Sequence, residues 1–361
     1  MSSTNTTEAS RQPSLAGQRR VEFIDVVKGL AIVLVVYGHA FRGLVNAAMI
    51  PAGSPLFVID YVIYAAHMPV FFFLSGLFFE QSLKKGAGKF WSGRAKTIVY
   101  PYLLWSVLQG SVQVMISGTG ATNGGMTWAR LGEILWSPLS PFWFLYALFF
   151  ANLFAYVIRS ITPRRAGMLV ALALSFAAFL LSFRFPNLPV LNDVTYAIFY
   201  FLLGCVTGLA GVRRLISMAG RLWMPFMLCY VGGAIGCFML SVPERLPLPA
   251  AFLGLAAFLA TGALIERSSF ERLHFWLQML GACSMGIFVL HILVIGFTRA
   301  VLVRLFHIDQ AGVLLVLLTV TGVLVPSVVV IIAQRLRIGS LLGIASTGLP
   351  SQKTAHMVRS L

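Results

Sequence analysis

The sequence predicts an all-helical integral membrane protein of about ten transmembrane helices, and two observations predict it: composition and the placement of charge. Of the 361 residues, 58% are hydrophobic and only 11% charged, with a mean hydropathy of +0.87. An ordinary soluble domain is roughly 25% charged. A chain this apolar has more greasy surface than one water-facing core can hide, and a bilayer is its natural solvent. The net charge is +16, but Lys and Arg fall in short runs between long apolar stretches. That is the pattern of cytoplasmic loops beside anionic lipid, so membrane lipid is an expected partner and nucleic acid is not.

A spanning helix needs roughly 20 mostly apolar residues. Such stretches lie near 24–45, 57–79, 97–117, 139–158, 166–184, 193–210, 222–241, 248–265, 280–303 and 311–334. Placing the N-terminus in the cytoplasm puts 21 of the 27 Lys and Arg on the cytoplasmic side. Both termini are therefore expected inside, in a cytoplasmic (inner) membrane. Residues 1–20 are expected as a disordered cytoplasmic tail, 21–338 as the transmembrane domain and 339–361 as a second cytoplasmic tail. The first apolar run is too long for a cleaved signal peptide. Cys205, Cys229, Cys237 and Cys283 lie in apolar segments, so neither a disulfide framework nor a metal site is expected. Gly204/Gly208 and Gly232/Gly236 have the four-residue spacing of close helix packing. The Gly-rich loop near 118–138, with Trp128 and Trp136, matches no nucleotide-binding pattern and reads as an interfacial loop.

Ionisable residues inside apolar helices are costly, at about 2.5–3.5 kcal/mol each on insertion scales, and mark candidate sites. In the first span, Lys28 and His39 are eleven residues apart and return to nearly the same helix direction, with Asp25 close to that line. Asp25, Lys28 and His39 thus form one polar stripe, His39 lying about 16 Å deeper than Lys28. His67 stands mid-span beside Pro69, whose ring is expected to distort the helix and free backbone carbonyls. Ser284 and His291 are seven residues apart and share a face of the ninth span. Arg94 and Lys96, in the basic run before Tyr100-Pro101-Tyr102, read either as ordinary positive-inside charge or as an anion site beside a helix start. The run Pro141-Phe142-Trp143-Phe144-Leu145-Tyr146 reads as an aromatic belt or, at Trp143, as a platform for a sugar ring.

Together these motifs resemble the acyltransferase-3 family of membrane O-acyltransferases, nearest its fucose 4-O-acetylase-like branch. Ile24-Asp25-Val26-Val27-Lys28-Gly29 through Gly38-His39 is similar to the family's basic residue, ten-residue gap and histidine. Ala66-His67-Met68-Pro69 through Leu74-Ser75-Gly76 resembles its second-helix signature, and Arg94 through Tyr100-Pro101-Tyr102 its basic approach to the third helix. Trp143-Phe144-Leu145 and Ser284 through His291 are similar to later segments. Where the family often carries a second arginine, three residues after Arg94, this chain has Thr97, with Lys96 beside it.

The resemblance implies a stand-alone O-acyltransferase. Its donor would be cytoplasmic acetyl-CoA or another acyl-CoA, bound as a substrate with no permanently held cofactor. Its acceptor would be a glycan or lipid-linked sugar hydroxyl at or beyond the outer face. Lys28, Arg94 and Lys96 would hold the CoA end, and Trp143, Ser284 and His291 would face the acceptor. His39 would act as general base or accept the acyl group covalently, with Asp25, Lys28 and His67 beside it in the catalytic set. The rival reading is a polytopic transporter or flippase that uses its histidines as a proton relay.

Overall fold

The computed structural model describes residues 15–117, 125–162, 165–219 and 223–344, with side chains from residue 23 onward except at 217–219. Fourteen α-helices follow one another among them: α1 (Leu15–Asn46), α2 (Leu56–Leu77), α3 (Phe79–Leu83), α4 (Ala87–Arg94), α5 (Tyr100–Met115), α6 (Trp128–Gly132) and α7 (Trp143–Ile161), then α8 (Arg165–Ser182), α9 (Pro189–Ala219), α10 (Trp223–Met239), α11 (Leu248–Arg267), α12 (Glu271–Ala282), α13 (Ser284–Arg304) and α14 (Ala311–Arg335). No strand occurs among the described residues.

Among the described residues, eight helices are long and apolar enough to cross a membrane, namely α1, α2, α7, α8, α9, α11, α13 and α14. The expected seventh span is the shorter apolar helix α10, and the expected third span is the 16-residue α5. The expected ninth span begins as a separate helix, because α12 stops at Ala282 and α13 starts at Ser284. Helix α1 reaches back to Leu15, into the segment assigned to the first tail, of which residues 1–14 lie outside the described residues. Residues 118–124 of the Gly-rich loop also lie outside them.

Outer faces are as apolar as inner ones. On α14, Val316, Val320, Leu324 and Val328 are exposed, while Leu315, Leu318, Val330 and Ala333 are buried. A helix apolar all round is at home only among protein on one side and lipid on the other.

Glycines fix the two tightest crossings. A Cβ on Gly29 would overlap the Leu277 carbonyl, and one on Gly281 would overlap the Asp25 carbonyl, so α1 and α12 touch backbone to backbone. Gly76 and Gly204 do the same for α2 and α9, against the carbonyls of Phe201 and Phe73. The expected close packing therefore holds at Gly204. It does not hold at Gly208, which turns the chain at φ 57°, nor at Gly232 and Gly236, which face open space.

Helix α1 is the centre of the assembly and packs against α2, α11, α12, α13 and α14. Between α4 and α5 the chain takes a π-helical turn, Ala95–Val99. Pro101 has no N–H to offer the carbonyl four residues back and its ring crowds that carbonyl. A wider turn ahead of it absorbs both faults, and such turns recur at functional sites.

Candidate active site

Two cavities lie end to end along α1. The first, about 840 Å³, lies toward the start of α1 and is lined by Lys28, Ser75, Arg94, Lys96, Asn152 and Ser284, among others. The second, about 1070 Å³, lies toward its end and is lined by His39, Arg42, Tyr64, His67, Trp143 and Arg245, among others. Along α1 itself the lining residues include Lys28, Ile32, Val35, His39, Arg42 and Asn46. Their spacing of three or four is one helix face, about 27 Å long at 1.5 Å per residue. Of the polar stripe expected from the sequence, Lys28 lines the first cavity and His39 the second, while Asp25 lines neither.

In the first cavity Lys28 Nζ donates to Asp25 Oδ1 at 3.2 Å, one turn back on the same helix. The Arg94 Nε donates to Asn152 Oδ1 at 2.7 Å, and its guanidinium lies over Phe90, 4.8 Å from the ring centroid. Among the described residues no carboxylate pairs with it. Burial lowers its pKa from the ordinary guanidinium value, although arginine stays charged. A half-buried guanidinium with only neutral partners is suited to an anion. Thr97, in the place of the family's second arginine, donates its hydroxyl to the Gly93 carbonyl at 2.9 Å and lines the same cavity. The segment after α14, expected as tail, instead closes this cavity. Ser340 and Gly343 line it, and Trp105 Nε1 donates to the Leu342 carbonyl at 2.9 Å. Only residues 345–361 of that tail lie outside the described residues.

In the second cavity His39 lies against His291, with ring centroids 5.0 Å apart. His291, expected beside an acceptor, is fully buried behind His39 and is not among the residues lining this cavity. The His67 Nδ1 is 2.8 Å from the Ile63 carbonyl. A carbonyl only accepts, so this nitrogen carries the proton. The helix runs on through Pro69, so the carbonyl that orients His67 is that of Ile63 one turn back. Trp143 does line the cavity, but Arg245 covers part of its ring, 5.1 Å from the centroid.

Sequence reasoning missed the charged frame of this cavity. Arg42 donates to Asp60 at 3.1 and 2.9 Å and to Glu244 at 2.8 Å, and lies 4.1 Å from the centre of the Tyr64 ring. Arg245 pairs with Asp193. Burial works against the Arg245 charge, but Tyr64 and Asp193 more than offset it, leaving its pKa above the ordinary guanidinium value. A signal was present: Asp60 and Asp193 are carboxylates inside apolar helices in a chain with only 11 acidic residues. Each had to find a cation.

No curated protein matches the chain, and no solved structure does. A family model described as an acyltransferase domain matches residues 21–333, which takes in α1 to nearly the end of α14 and therefore both cavities. The chain accordingly belongs to the acyltransferase-3 family of membrane acyltransferases.

Proposed function

We propose that the protein is an O-acyltransferase of a bacterial cytoplasmic membrane, moving an acyl group, acetyl in the first instance, from cytoplasmic acyl-CoA to a glycan or lipid-linked sugar hydroxyl. The observation that carries this reading is the α1 face that joins Lys28 in one cavity to His39 in the other. In it Arg94, Lys96 and Lys28 hold the phosphates of CoA, and the pantetheine arm follows α1 toward His39. The acceptor enters the second cavity from the opposite side. The unprotonated imidazole nitrogen of His39 takes the proton of the acceptor hydroxyl. The hydroxyl oxygen then bonds to the thioester carbonyl carbon, the carbon–sulfur bond breaks, and the proton passes to the CoA sulfur. The products are an ester and free CoA.

The test is radiolabelled acetyl-CoA supplied to membranes containing the protein, together with mass spectrometry of surface glycans from cells with and without its gene. Label entering a saccharide ester, and loss of an acetyl mass from the glycan without the gene, are expected. Membranes that transfer no label while the glycan stays unchanged would overturn the reading in favour of transport.

A further inference from the structure

The two cavities share three lining residues: Val35, Met68 and Phe288. Each comes from a different helix, α1, α2 and α13, and each of these helices gives one face to both cavities. Although they border cavities of about 840 and 1070 Å³, these residues are only 3%, 6% and 8% exposed. The boundary the two cavities share is therefore an apolar neck of nearly fully buried side chains. Val35 stands one helical turn before His39, and Met68 directly follows His67. The neck thus lies immediately on the Lys28 side of the imidazole.

The three side chains differ in how far they can yield. Phe288 is held by rings, 5.4 Å from Phe144, 6.3 Å from Phe142 and 6.2 Å from His291 between centroids. Val35 is β-branched and stiff on a helix. Met68 is unbranched and adaptable, so it is the member able to move aside.

We propose that Val35, Met68 and Phe288 form a width filter that determines which acyl groups reach His39, admitting unbranched short chains and excluding branched ones. The inference rests on the acyl-transfer reading above. A donor loaded from the first cavity presents its acyl group to the neck first. An unbranched chain is no wider than the cysteamine methylenes that follow it on the other side of the thioester. An α-branched chain is wider by a methyl group at the carbon next to the thioester, where the neck is occupied by a valine, a methionine and a fixed phenyl ring. Apolar walls also suit an acyl chain and exclude the water that would hydrolyse the thioester.

The experiment compares acetyl-CoA, butyryl-CoA and isobutyryl-CoA as labelled donors, in membranes that contain the native acceptor. Butyryl and isobutyryl have the same carbon count, so the pair separates width from length. Wild type should transfer isobutyryl at no more than a tenth of the butyryl rate. Met68→Ala and Val35→Ala should each raise the isobutyryl-to-butyryl ratio about tenfold. Reading a ratio cancels differences in protein level, and two variants at different helices guard against one failing to fold. Equal transfer of the two isomers by wild type would overturn the filter, as would an unchanged ratio in whichever variants transfer acetyl. Wild type that moves no acetyl from acetyl-CoA would overturn the acyl-transfer reading itself, and the filter with it.

Discussion

His39 and His291 face one another across 5.0 Å between ring centroids, with their planes inclined at 56°. The His291 Nδ1 lies 3.0 Å from the Ile287 carbonyl and so carries the proton. Its Nε2 is buried and has no partner among the described residues. A ring whose tautomer is fixed by its own helix backbone thus stands behind a ring that opens on a cavity. On the acyl-transfer reading proposed above, the imidazole on the cavity wall does the chemistry and the other holds it in place.

His39→Gln keeps polarity and approximate size but removes the titrating nitrogen. Rate should fall about 10²–10⁴-fold, the usual contribution of a positioned acid–base group. Membrane level and acetyl-CoA affinity should stay near wild type. His291→Phe keeps a ring against His39 and should insert normally, with a smaller loss of rate. A Gln variant that acylates at nearly the wild-type rate removes His39 from the mechanism.

Arg94→Ala should raise the acetyl-CoA concentration needed for half-maximal rate about tenfold or more, since among the described residues its partners are the neutral Asn152 and Phe90 and charge-assisted bonds to phosphate are strong. Lys84→Ala and Lys85→Ala, at exposed positions, should change it little. Donor titration in isolated membranes decides this, and a fall in maximal rate with unchanged donor affinity would count against the assignment.

Two carboxylates share Arg42 but should not matter equally. Asp60 is nearly buried and Glu244 is 43% exposed in its side chain. Asp60→Ala strips the buried partner and should cost about 1–3 kcal/mol. Glu244→Gln should cost about 0–1 kcal/mol, as exposed pairs do. Thermal unfolding in detergent ranks the two, and the reverse order would refute the picture of Asp60 as the anchor.

Gly281→Leu should prevent accumulation of folded protein, because any Cβ at that position overlaps the Asp25 carbonyl. Gly236→Leu, on an open face of α10, should accumulate normally. Size-exclusion chromatography of tagged variants makes the comparison.

Reporter fusions test orientation. Fusions after Lys85 and Arg214 should report the cytoplasmic side and a fusion after Asn187 the outer side, following the excess of basic residues. An inside result at Asn187 would reverse the middle of the bundle.

The sequence by itself determined the class of fold and the polar stripe of α1. Both depend on composition and on spacing along one helix, where 3.6 residues per turn decides what shares a face. Asp25, Lys28 and His39 needed no partner helix to be aligned, and the membrane question was settled by hydropathy. The tertiary structure alone decided what surrounds that stripe. That Arg94 meets Asn152 and that His291 lies behind His39 depend on how separate helices cross. So do the ion pairs of Arg42 with Asp60 and of Arg245 with Asp193, between residues 18 and 52 positions apart. Only the packing of α1 against α2 and α13 brings Val35, Met68 and Phe288 together. The segment 339–344 reads as tail because its packing partners, Tyr100 and Trp105, are more than 230 residues away. Periodicity reports which face of a helix is special, whereas the identity of its neighbour depends on the helix crossings.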